Sequence, residues 1–78
     1  MVVNINQVST TAYAAQWEIR RMVAVLEKQG QIEPLQVHAT NDGYITFDND
    51  VWGNAIVMAA RALGWTTLLI VLMPRYKE

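Results

Sequence analysis

No cysteine occurs in the 78 residues of this chain, which excludes disulfide staples, thiolate metal sites and thiol nucleophiles. Small secreted scaffolds commonly depend on such staples, so the expected compartment is a reducing cytoplasm. A single histidine, His38, provides no partner for a His-based metal site or a Ser-His couple, and a lone ring on a strand is ordinarily structural or exposed. The longest apolar run, Leu68 to Met73, falls far short of the about 20 residues that a membrane-spanning helix needs. Met1 to Asn6 lacks the basic segment and long apolar core of a signal peptide, and no membrane association is expected. Six Lys and Arg stand against seven Asp and Glu, a net charge of -1, so the chain has no overall field to draw in nucleic acid. Any such contact requires a local patch.

What is present is apolar mass. Hydrophobic residues make up 53% of the chain and charged residues 17%, enough for a packed core and too apolar for disorder. A chain of this length buries only about 60% of its unfolded surface, which implies one domain over residues 1–78. With so few charges, some apolar surface is expected to remain for a protein partner or a second copy.

Glycines and prolines punctuate the chain. Val2 to Val8 has the β-branched content of a first strand ending at Ser9-Thr10-Thr11. Ser9 or Thr10 is suited to cap a helix in which Ala12, Ala15, Ile19, Met22, Val23 and Leu26 recur at spacings of three and four, with Tyr13 and Trp17 widening the stripe. Lys28 and Gly30 mark its end. Ile32 to Ala39 changes to period two, with Leu35, Val37 and Ala39 on one face. Asn41-Asp42-Gly43 predicts a tight hairpin turn through positive φ angles, and Tyr44 to Phe47 predicts the returning strand. Val51 to Leu63, with Ala55, Ile56, Ala59, Ala60 and Leu63 on one side, predicts a second helix closed by Gly64 and an apolar contact from Trp65. Thr66 to Met73, bounded by Pro74, reads as a central strand covered on both faces.

The runs Gly30-Gln31-Ile32-Glu33-Pro34-Leu35-Gln36-Val37 and Ala59-Ala60-Arg61-Ala62-Leu63-Gly64-Trp65 fall in this element order over almost the whole chain, which resembles a ParB-like N-terminal domain of the ParB and sulfiredoxin superfamily. The resemblance implies an α/β (α+β) fold with a small mixed sheet and two flanking helices. It also implies an anion- or nucleotide-binding turn at the start of the second helix, where backbone amides hold phosphate and basic side chains add charge. The matching window is Gly53-Asn54-Ala55-Ile56. Gly53 and Asn54 are the candidate anion-binding residues, while Ala55 and Ile56 stand where the family's basic side chains would be. About four additional residues separate the second strand from Gly53, and sulfiredoxin's catalytic cysteine has no counterpart. No catalytic residue and no cofactor are therefore assigned.

The remaining candidates are ordinary polar features unless the fold unites them. Asp48-Asn49-Asp50 followed by Gly53 is similar to the opening of a calcium loop, but Trp52 and Ala59 occupy positions that need oxygen ligands, so no metal is expected. Asp48 or Asp50 instead suits a helix cap, stabilising by about 1 kcal/mol. Arg20 and Arg21 are the candidates for nucleic-acid contact, with Arg61, Arg75 and Lys77 as potential neighbours, although adjacent helical residues point about 100° apart. Trp52, beside Gly53 in the lengthened loop, is the candidate partner contact. The reading is a small non-catalytic binding or regulatory module, of the kind expected on a phage, plasmid or other mobile element. The alternative is a residual nucleotide-dependent enzyme or nuclease using Asp48 or Asp50 with a metal.

Overall fold

The computed structural model describes residues 1–74 apart from Ile32; the expectations resting on Ile32, Arg75 and Lys77 lie outside the described residues. The elements are β1 (Val2–Asn4), a 3-10 turn (Ile5–Gln7), β2 (Val8–Ser9), α1 (Gln16–Gln29), β3 (Leu35–Ala39), β4 (Tyr44–Thr46), α2 (Val51–Ala62) and β5 (Thr67–Leu72). The five strands form one sheet in the order β1-β5-β3-β4-β2. β1 runs antiparallel to β5, β3 parallel to β5, β4 antiparallel to β3, and β2 parallel to β4. The mixed sheet with two helices is the predicted fold class.

The expected first strand from Val2 to Val8 is two strands on opposite edges of that sheet. A single 3-10 turn separates them and rises only about 2 Å per residue, so the two edges lie close together and the sheet curls almost shut. Burial explains the break: Val3, Ile5 and Val8 all enter the interior, a spacing no uninterrupted strand delivers to one face. Asn4 Oδ1 accepts the Asn6 amide at 2.8 Å and caps the turn.

The seam also corrects the reading of the hairpin. β3 and β4 pair as expected, with the Thr40 amide donating to Gly43 O at 2.8 Å, but none of Asn41, Asp42 and Gly43 has a positive φ. Gly43 is required for another reason. A Cβ there would lie 2.3 Å from the Gln7 carbonyl oxygen, where the 3-10 turn crosses the hairpin.

α1 begins at Gln16, several residues after the expected Ser9 or Thr10 cap. The intervening Thr11 is held by partners far along the chain, as described below, so residues 10–15 cannot coil. Alanine at the cap position offers no acceptor, and Glu18 Oε1 supplies the reciprocal bond alone, accepting the Ala15 amide at 2.7 Å. Ile19, Met22, Val23 and Leu26 pack on the core as their spacing predicts, whereas Ala12, Tyr13 and Ala15 are exposed. Gly30 ends the helix at φ 71.

α2 packs against α1 and buries Ala55, Val57, Ala59 and Ala60. At its end the Trp65 amide donates to Ala60 O and the Gly64 amide to Arg61 O, both at 3.0 Å, with Gly64 at φ 78. This is the paired bonding of a Schellman ending, and Trp65 packs on the core beside it. β5 lies between β1 and β3 rather than in the middle of the sheet, and only Leu68 and Ile70 are buried. Val71 is exposed because alternate residues of a strand face opposite ways and the helices cover one face, while Leu72, on the side of Leu68 and Ile70, is exposed at the strand's end. Ahead of β3, the Gln31 side-chain amide extends the ladder, donating to Leu69 O at 2.7 Å and accepting from the Leu69 amide at 2.8 Å.

Candidate functional site

The first turn of α2 is entered through Asn49, whose φ of 62 turns the chain after Asp48, and through Asp50, the helix cap. Asp50 Oδ1 accepts the Gly53 amide at 3.0 Å and Asp50 O accepts the Asn54 amide at 3.0 Å. The carboxylate also fills space. A Cβ on Gly53 would sit 2.1 Å from Asp50 Oδ2 and 2.6 Å from Cγ, so this glycine accommodates the chain's own acid. Both amides offered by sequence reasoning to an anion are thus engaged within the chain. Of the two acids proposed as caps, Asp50 performs the role.

Behind this turn lies a buried polar triangle. Asn54 and Thr46 are 3% and 1% exposed in an otherwise apolar interior, which obliges them to find partners. The Thr46 hydroxyl donates to Asn54 Oδ1, and Asn54 Nδ2 donates to Thr11 Oγ1 at 3.2 Å. The Thr11 amide reaches Thr46 Oγ1 at 3.0 Å and Asn54 Oδ1 at 3.2 Å, while Thr11 Oγ1 donates to Phe47 O at 3.0 Å. Asn54 is therefore a tie between α2, β4 and the segment before α1. Thr11 and Thr46 escaped the sequence reading, although Thr46 carried a signal, since a hydroxyl at the inward register of a strand must be satisfied. The triangle contains only neutral amides and hydroxyls. It can fix the loop's position but offers no general base.

Outside the triangle the surface is aromatic. Trp52 is 43% exposed and meets Trp17, 60% exposed, edge to face, with ring centroids 6.1 Å apart and planes at 85°. Tyr13 and Val51 are exposed nearby in sequence. Beside Trp52 opens a hollow of about 250 Å³ between the approach to β3 and its first residues, with Glu33, Pro34 and Gln36, and the start of α2, with Asp50 and Gly53. A larger hollow of about 430 Å³ at the other end of α2, lined by Val2, Gln31, Gly64, Trp65 and neighbouring residues, contains no ionisable side chain among the described residues.

None of the described basic candidates lines the hollow beside Trp52. Arg20 and Arg21 are exposed on α1. Arg61 donates to Val8 O at 2.6 Å and so pins β2 at the sheet edge. His38 stacks on Phe47, centroids 3.9 Å apart, with its Nδ1 buried and unpartnered among the described residues. No group of three or more His, Cys, Asp or Glu able to hold a metal occurs among the described residues. Nor, among them, is any helix long and apolar enough to cross a membrane.

No family model matches the chain, and no curated protein matches it in sequence. Among solved structures it is similar to sulfiredoxin from Arabidopsis thaliana, with a TM-score of 0.71 at 16% identity, over 94% of this chain and 84% of that one. At such low identity the likeness concerns the backbone path, and what is established is that the chain has a sulfiredoxin-like fold.

Proposed function

We propose that this chain is a non-catalytic binding module on the ParB and sulfiredoxin scaffold, contacting a protein partner through the surface around Trp52. The observation that carries this reading is the Asp50 carboxylate, seated against Gly53 and bonded to its amide at 3.0 Å. In the family that the sequence resembles, that turn receives phosphate. Here the Asp50 carboxylate takes up the space beside Gly53.

Magnitudes decide between the two occupants. A helix N-terminus favours an anion by about 0.3–1 kcal/mol at an exposed position. Two unit negative charges about 4 Å apart repel by about 4 kcal/mol at an effective dielectric of about 20. Repulsion prevails, and Ala55 and Ile56 provide no cation to offset it. Arg20 and Arg21 leave one small cationic spot on α1, and with a net charge of -1 the reading favours a protein over DNA as partner.

Trp52 lies one residue from Gly53, so its fluorescence reports an anion arriving there. Titration with ATP and magnesium is expected to give no saturable change. A saturable response would overturn this reading in favour of a nucleotide-dependent activity.

A further inference from the structure

We propose that the hollow beside Trp52 receives an arginine side chain from a basic segment of the protein partner. The inference deepens the function proposed above and rests on it. At about 250 Å³ the hollow is smaller than the about 300–1,000 Å³ typical of small-molecule sites, and it suits one long side chain used as an anchor. Its walls come from two elements. Glu33 and Pro34 stand on the approach to β3, while Asp50 and Trp52 stand at the start of α2, and among the described residues no Lys or Arg lines it.

The two carboxylates supply the charge complement. Asp50 Oδ1 is committed to the Gly53 amide, but Oδ2 accepts no hydrogen bond among the described residues. Glu33 is exposed, and among the described residues it uses only its backbone carbonyl, which accepts from Gln31 Nε2 at 3.2 Å. An indole lining the hollow beside two acids favours a guanidinium over an ammonium. Arginine stacks on aromatic rings, pairs with carboxylates through a planar fork and sheds its water more readily.

The walls are also held in place before a partner arrives. Trp17 braces Trp52 edge to face. The Asp50 cap and the Asn54 triangle fix the turn that carries both Asp50 and Trp52. Binding therefore spends little free energy on ordering the site.

The test uses the ¹⁵N-labelled full chain and the Trp indole NH resonances, with Trp52 assigned through Trp52→Phe. The probe is a capped Gly-Ser-Arg-Ser-Gly peptide, compared with the same peptide carrying citrulline, the uncharged isostere, or lysine. The Trp52 resonance is expected to shift saturably with the arginine peptide while that of Trp65 stays fixed. The citrulline peptide should bind about tenfold more weakly, and the lysine peptide should fall between them. Glu33→Gln, a substitution at an exposed position, should weaken arginine binding severalfold without altering the fold. Equal binding of arginine and citrulline, or no saturable shift with either, would overturn the pocket while leaving the non-catalytic reading intact. Lysine equal to arginine would overturn the choice of side chain. A positive ATP titration, by contrast, would remove the underlying reading as well.

Discussion

The two ends of α2 carry the same pair of residues and use them in opposite ways. At the start, Trp52 and Gly53; at the finish, Gly64 and Trp65. Gly64 is a glycine because its φ of 78 strains any residue with a Cβ, a demand made by the helix ending itself. Gly53 has no positive φ and is a glycine because the Asp50 carboxylate occupies the space beside it. Trp65 turns onto the core, whereas Trp52 stays 43% exposed against Trp17. One end closes the fold and the other presents a surface. The difference teaches that a glycine at a helix start is not by itself an anion site, since an internal carboxylate can fill it.

Three substitutions sharpen that contrast. The largest effect is expected from Asn54→Leu, which takes away the buried acceptor of the Thr46 hydroxyl. A loss of about 2–3 kcal/mol in urea unfolding is expected, because a buried unsatisfied polar group costs about 1–3 kcal/mol. A loss below half a unit would show the triangle to be dispensable. Next comes Gly64→Ala, expected to lower stability by about 1 kcal/mol through left-handed backbone strain. The smallest is Gly53→Ala. The new methyl displaces the Asp50 carboxylate, losing a cap of about 1 kcal/mol, while alanine regains about 1 kcal/mol of helix propensity over glycine. The net change in thermal unfolding should be close to zero, and a loss equal to that of Gly64→Ala would break the distinction between the two ends.

Much of the architecture was legible because it depends on near neighbours. The Leu26 face of α1, the Leu35 and Val37 alternation, and the Gly64-Trp65 ending all follow from spacings within one element. The hairpin was legible in place but not in cause. Gly43 answers to Gln7, 36 positions away in the chain, and no local turn rule contains that contact. The late start of α1 has the same origin, since Thr11 bonds to Thr46 and Asn54, which lie 35 and 43 positions further on.

The candidate site was legible only in part. Trp52 and the Gly53-Asn54 window were singled out from sequence, but as an exposed indole and a pair of free amides. The structure shows an indole braced by Trp17, a glycine seat holding Asp50 and a buried asparagine tie. Trp17 entered the sequence reading as an extension of the helical stripe; its meeting with Trp52 depends on how α1 and α2 pack. Glu33 drew no attention, because nothing in its surroundings along the chain sets it across from Asp50.

By itself the sequence determined the two helices, their closing by glycine and the three strands from Leu35 onward, because periodicity and positive-φ demands act over a few residues. It also removed thiol chemistry outright, since composition needs no folding to exclude an atom. Only the tertiary structure decided that one N-terminal segment supplies both edges of a curled sheet, and that Asp50 fills its own helix start. These outcomes depend on groups brought together through space, where burial and hydrogen-bond satisfaction select among arrangements that local propensity leaves equal.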